Sequence, residues 1–227
     1  MSSLSWISPA GLERTIRRVV IAVGVLAVVA AAILIVGQQP FAASTFEFQQ
    51  YREFRGTLLT EPYPALTIPG REPPWLLVGP GKHGVGDLRH WSGREVALKG
   101  ERIYRTSGST EDHMIELAPG SLTARGEGNL VQSPENLGEV QLTGEIVDSK
   151  CYFGVMNPGA GKVHRDCAVR CISGGIPPAF LIRDSSGTLV TLLLANWKQE
   201  LLDHVAEPVT IRGRLSRSAG RLTLYQE

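Results

Sequence analysis

Residues 148–178 read DSKCYFGVMNPGAGKVHRDCAVRCISGGIPP. This stretch holds all three cysteines of the chain, Cys151, Cys167 and Cys171, together with His164, one of five histidines. The short runs LTGEIV before it and PPAFLI at its end are bounded by Gly and Pro, as strands of small β domains are. We therefore interpret the stretch as a long loop inserted between two strands of one β domain.

The spacing of the thiol and imidazole groups favours a metal site. If residues 163–172 form a helix, then His164, Cys167 and Cys171 follow an i, i+3, i+7 pattern and lie on one face. Cys151, at the end of the preceding strand, would close the site from the other side. Three thiolates and one imidazole complete a tetrahedral set for zinc, and sulfur-rich sets also bind copper. The sequence thus predicts one soft metal ion, zinc or copper, held by these four residues.

Asp148 begins the same stretch and is predicted to orient His164 by accepting a hydrogen bond from its ring. Two other interpretations stay open. A disulfide from Cys151 to Cys167 or Cys171 would staple the loop for about 3 kcal/mol and leave one thiol unpaired. Alternatively, a thiolate activated by the histidine could take part in thiol–disulfide exchange.

The pattern D-x-x-C-Y…H-x-x-C-A-x-x-C…G-x-P within residues 144–178 resembles a motif of uncharacterised bacterial proteins that are exported or membrane-anchored. The resemblance implies that Asp148, Cys151, His164, Cys167 and Cys171 act as one unit, and that the unit lies outside the cytoplasm. It implies no reaction.

The run Val19–Gly37 contains no charged residue and, at about 1.5 Å per residue, could span roughly 28 Å of hydrocarbon as a helix. Arg14, Arg17 and Arg18 precede the run, whereas residues 38–51 contain no Lys or Arg. The positive-inside rule then predicts a single-pass protein with the N-terminus inside. With the resemblance to bacterial proteins, this implies the bacterial inner membrane. Residues 1–18 would be cytoplasmic, and the part of the chain after the helix periplasmic.

The alternative for this segment is a cleaved signal peptide, because small residues at 42–44 offer a cleavage site. Signal peptides usually have an apolar region of only about 7–15 residues, so the length of this run favours a retained anchor. In both interpretations the chain after the linker, residues 38–50, is exported.

Two halves of the remaining chain share a similar order of short β-like runs, with a Gly inside corresponding strands. Such glycines are typical of bends in small barrels. We predict a mainly β protein with two tandem OB-like barrels, residues 51–130 and 138–227, although a β-sandwich is the alternative. The matches suggest a duplication in which extra residues of the second half form the cysteine loop. The matched pairs are Gly56 with Gly144, Pro73 with Pro177, and Gly100 with Gly213.

Two smaller predictions concern the rest of the chain. The spacing of Trp197, Leu201, Leu202 and Val205 indicates a short helix between strands of the second barrel. The remaining histidines are expected at the surface or at sheet edges rather than as metal ligands. They are His83, His90, His113 and His204.

Composition narrows the function classes. The formal net charge of +1, without a basic run, argues against a partner that is a nucleic acid. We expect a non-catalytic metal-binding protein: an accessory or assembly subunit of an envelope electron-transfer complex, or a metal carrier. Its partners would be the membrane and other envelope subunits. The alternatives are a thiol–disulfide or copper-dependent oxidoreductase, and an interaction module whose loop is stapled by a disulfide.

Overall fold

The structure, a computed structural model, describes residues 9–37, 43–107, 110–129 and 133–227. The chain divides into two compact units, residues 1–41 and 42–227. In the first unit, helix α1 runs over Pro9–Gly37, so it begins ten residues before the predicted span. Its segment Gly11–Gly37 is long and apolar enough to cross a bilayer, and its apolar side chains are exposed. A helix of this kind fits a membrane anchor or a signal sequence.

The second unit begins with a closed five-stranded barrel. The ring order is β2, β3, β4, β6, β5 and back to β2, in which β4 and β6 are parallel and the other pairs antiparallel. Strands β1 and β7 add to the long strand β5, so part of the predicted linker 38–50 forms a strand. The strands are β1 (Ser44–Phe46), β2 (Arg52–Leu59), β3 (Ala65–Thr67), β4 (Trp75–Val78), β5 (Arg94–Ser107), β6 (Thr110–Leu117) and β7 (Thr123–Glu127).

A second closed barrel follows with the same connectivity. Its ring order is β8, β9, β10, β12, β11 and back to β8, and β10 and β12 form the parallel pair. Both rings therefore have the order 1-2-3-5-4, which confirms two tandem OB-like barrels and rules out the β-sandwich. The strands are β8 (Glu135–Asp148), β9 (Pro178–Arg183), β10 (Leu189–Ala195), β11 (Pro208–Ser218) and β12 (Arg221–Gln226).

The matched glycines occupy equivalent places in the two barrels. Gly56 and Gly144 lie on the first strands, where a Cβ would overlap a carbonyl oxygen of the second strand. Gly100 and Gly213 lie on the fourth strands, where a Cβ would overlap a carbonyl oxygen of the fifth strand. Each glycine thus permits two strands to approach closely at a corner of its barrel.

The proposed match of Pro73 with Pro177 is wrong. Pro73 precedes the third strand of the first barrel, whereas Pro177 precedes the second strand of the second barrel. The sequence missed β3 because a strand of three residues, Ala65–Thr67, shows no periodicity. The insertion is nevertheless where it was predicted: residues 149–177 connect the first two strands of the second barrel, and residues 60–64 do so in the first.

The helix predicted near residues 196–205 is a 3₁₀ helix, Gln199–His204, between β10 and β11. Leu201 and Leu202 pack on the core of the second barrel, as the spacing indicated.

The first turn of the inserted loop is buried between the two barrels. Each barrel has its own apolar core, and a third cluster combines residues of both. In that shared cluster, Tyr152 and Phe153 of the loop pack with Ile103 and Met114 of the first barrel. The two aromatic side chains are 2% and 0% exposed. The two barrels therefore enclose the turn that carries Cys151.

Polar contacts reinforce this interface. Arg221 on β12 donates to Asp112 Oδ1 at 2.5 Å and to the Pro74 carbonyl at 3.2 Å. Tyr63 donates its hydroxyl to the Leu194 carbonyl at 2.5 Å. These bonds satisfy polar groups that would otherwise be costly to bury, and they fix the orientation of the barrels.

We expect Gly144→Ala to lower the free energy of unfolding by roughly 1–3 kcal/mol, because the new Cβ would push the Leu181 carbonyl away from β8. Denaturant unfolding of the full-length protein in nanodiscs, followed by tryptophan fluorescence, measures the change. Gln141→Ala, at an exposed position of the same strand, should change it by less than about 0.5 kcal/mol. Equal unfolding midpoints for the two variants would contradict the close approach of β8 and β9 at Gly144.

Candidate metal centre

Three short elements of the insertion carry the predicted site residues. Asp148 ends β8, and Cys151 begins a single π-helical turn, Cys151–Val155. His164 ends a 3₁₀ turn that leads directly into helix α2, Arg165–Ser173. The helix predicted over residues 163–172 is thus present over Arg165–Ser173, and the 3₁₀ turn precedes it. It carries Cys167 and Cys171 on the side that faces β8 and the Cys151 turn.

The donor atoms converge in two overlapping sets. In one set, the donor atoms of Cys151, His164 and Cys167 all lie within 4.8 Å of one another. In the other set, the same limit holds for Asp148, Cys151 and Cys171. The sulfur of Cys151 belongs to both sets, so the five predicted residues are grouped around it. They are close enough to bind a metal ion.

Asp148 organises this group through both of its carboxylate oxygens. Oδ1 accepts the backbone N–H of Cys151 at 2.8 Å, and Oδ2 accepts Nε2–H of His164 at 2.9 Å. The two side chains are 0% and 3% exposed, so these bonds are shielded from water. Because Nε2 is bonded to the carboxylate, Nδ1 is the ring nitrogen that could face a metal. This carboxylate–histidine pair is a common support of metal-binding imidazoles.

The three thiols are free. The sulfurs of Cys151 and Cys167 are 4.0 Å apart, about twice the length of a disulfide bond. The separation is close to the edge of about 3.8 Å of a tetrahedron with zinc–sulfur bonds of about 2.3 Å. A hydrogen bond with Cys171, together with burial, raises the pKa of the Cys151 thiol. The same hydrogen bond lowers the pKa of the Cys171 thiol.

Sequence reasoning missed Lys82, which the first barrel contributes. Its Nζ donates to the sulfur of Cys167 at 2.9 Å, and this hydrogen bond raises the pKa of the lysine. Lys82 belongs to the Gly-rich connection between β4 and β5, in which only the neighbouring His83 had been considered. The contact joins residues 85 positions apart, and no local pattern could have indicated it.

Lys150 holds the same connection against the site. Its buried Nζ donates to the carbonyls of Gly79 and Gly81, at 2.8 and 2.6 Å, and pairs with Glu116 Oε2 at 2.5 Å. Beyond Lys82, the N–H of Gly84 donates to the carbonyl of Gly174 at 2.9 Å. The segment that presents Lys82 is therefore fixed on both sides to the inserted loop.

The other histidines differ in their surroundings. His83, His90 and His204 are exposed, as expected. The prediction for His113 is wrong, because this residue is 4% exposed and stacks on Trp75 with ring centroids 4.3 Å apart. Burial lowers the pKa of His113. His113 lies on β6, which pairs with strands on both of its sides. The sequence around this histidine does not indicate that pairing.

Comparisons with models of protein families, with curated proteins and with solved structures find no match for this chain.

We expect Lys150→Met to lower the free energy of unfolding by about 3–5 kcal/mol, because it leaves the Glu116 carboxylate without its cation. Lys162→Met, which removes an exposed lysine of the same loop, is the matched control and should have little effect. Denaturant unfolding in nanodiscs measures both.

The double variant with Glu116→Gln should recover part of the loss, since no unpaired charge then remains. A Lys150→Met protein as stable as the control would show that the contacts of the Lys150 ammonium group contribute nothing to stability.

Proposed function

We propose that this protein binds one soft metal ion, zinc or copper, through Cys151, His164, Cys167 and Cys171. Asp148 would orient the imidazole. The observation that carries the proposal is the convergence of these donor atoms around the Cys151 sulfur, in two sets whose members lie within 4.8 Å. Thiolates and imidazole are the donors that these two metals prefer.

The burial of the site supports a metal over isolated thiols. Cys151 and Cys171 are 4% and 1% exposed, and the fully buried carboxylate of Asp148 lies beside them. Burying several ionisable groups together costs free energy unless a cation compensates their charge. A metal ion would supply that cation and would hold the three sulfurs as thiolates.

The expected role is binding and delivery rather than catalysis. Four protein ligands fill the coordination sphere of tetrahedral zinc, whereas catalytic zinc sites keep one position open for water or substrate. Together with the membrane-length helix, this favours an anchored, extracytoplasmic metal carrier, or an accessory or assembly subunit of an envelope electron-transfer complex. The orientation follows from the arginines that precede the apolar run.

A second candidate is a thiol–disulfide oxidoreductase, which the contact between Lys82 and Cys167 favours. An ammonium group 2.9 Å from the sulfur stabilises a thiolate, and Cys167 is only partly buried. Its thiolate would attack a substrate disulfide and release one substrate thiolate. Cys151, 4.0 Å away, would then displace the second, leaving Cys151 and Cys167 joined and the substrate reduced.

Intact-mass spectrometry of the protein purified from membranes, with metal analysis of the same sample, separates the candidates. We expect three free thiols and one equivalent of metal. A protein lighter by two hydrogens and without metal would support the oxidoreductase or a stapled interaction module instead. If a dithiol peptide then reduces this oxidised protein and restores its mass, the protein is identified as the oxidoreductase.

We expect His164→Gln to weaken metal binding by more than about 100-fold, because groups that merely orient a ligand are already worth about 10–100-fold. Cys167→Ser should likewise abolish metal retention. His204→Gln is the matched control, since this exposed histidine lies outside the site. Competition with a chromophoric zinc chelator measures the affinities. Unchanged metal content in the His164 and Cys167 variants would contradict the assignment.

A further inference from the structure

The four proposed ligands differ in their access to solvent. Cys151, Cys171 and His164 are 4%, 1% and 3% exposed. Cys167 is partly exposed, and it is the ligand that Lys82 contacts from the first barrel. An incoming molecule would therefore meet Cys167 before any other ligand of the site.

The hydrogen bond from Lys82 affects how strongly Cys167 can bind a metal. A charge-assisted hydrogen bond to a thiolate withdraws electron density from the sulfur and makes it a weaker donor. Among the residues that the structure describes, no lysine or arginine donates a hydrogen bond to the side chain of Cys151, Cys171 or His164. Cys167 is thus the most accessible of the four proposed ligands, and it is also the one whose bond to a metal would be weakened by a hydrogen bond.

The position of Lys82 is maintained by the fold. Lys150 bonds the carbonyls of Gly79 and Gly81, and Gly174 accepts the N–H of Gly84. A Cβ at Gly174 would overlap the Lys82 carbonyl oxygen, so α2 ends directly against this segment. The side chain of Lys82 is nevertheless exposed, which leaves its positive charge available at the surface.

We propose that Cys167 is the ligand through which this site exchanges its metal, and that Lys82 promotes the exchange. The inference rests on the proposed metal-binding function and names the acceptor class, an anionic thiolate. Lys82 would attract the acceptor and stabilise the sulfur that leaves. It is a positioning residue, because it acts on the metal through Cys167.

The step conserves charge and requires no oxidant. The acceptor thiolate forms a bond to the metal while the bond from the metal to Cys167 breaks. The released Cys167 thiolate keeps the hydrogen bond from Lys82, and no proton or electron changes place. Cys151, Cys171 and His164 hold the metal until further acceptor thiolates replace them.

The test compares zinc transfer from the full-length protein in nanodiscs to a synthetic Cys-X-X-Cys peptide flanked by aspartates. The wild type, Lys82→Met and Lys162→Met are each loaded with zinc, and their zinc content is measured first. Samples are quenched at intervals, the peptide is separated, and its zinc is counted. Lys162→Met, on the inserted loop, is the control for the loss of an exposed lysine that does not contact Cys167 in the described structure.

We expect each protein to hold one zinc ion and Lys82→Met to transfer it about tenfold more slowly than the other two, in line with the loss of one charged hydrogen bond. A peptide flanked by lysines should be a slower acceptor for the wild type, and Lys82→Met should reduce this difference. Equal transfer rates at equal loading would overturn the role of Lys82 and leave metal binding intact. A wild type that retains no zinc or copper would overturn both.

Discussion

The buried carboxylate of Asp148 connects the parts of the proposed site. It ends a barrel strand, accepts the first N–H of the turn that carries Cys151, and accepts the ring N–H of His164. One side chain therefore connects the sheet of the second barrel to the start and to the middle of the inserted loop. With 0% exposure, the carboxylate gains no compensation from water, so these bonds and the groups beyond them must balance its charge.

The first barrel completes the environment of the site. It covers the aromatic side chains of the loop with Ile103 and Met114, and it supplies Lys82 to the sulfur of Cys167. Glu116 on β6 in turn neutralises Lys150 beside Cys151. Two barrels of the same topology thus have different tasks: one carries the ligands, and the other controls their burial and charge.

Local patterns were sufficient where the interactions are local. The apolar run predicted a long helix, and the Gly and Pro boundaries with interior glycines predicted barrel strands. The spacing of His164, Cys167 and Cys171 predicted a helix, and α2 carries the two cysteines, whereas His164 ends the 3₁₀ turn before it. Local reasoning failed at β3, which is too short to show a period, and at His113, whose burial depends on strands far away in the chain. The pairing of Pro73 with Pro177 failed for the first of these reasons.

The amino-acid sequence alone was enough to predict the membrane-length helix, the two small β domains and the group of three cysteines, one histidine and one aspartate. These follow from composition and spacing over a few turns or strands. Only the tertiary structure decided that the cysteine loop lies between the barrels and that Lys82 reaches Cys167 across 85 positions. Such contacts depend on how two closed sheets pack against each other, and packing is set by the whole buried surface rather than by any one segment.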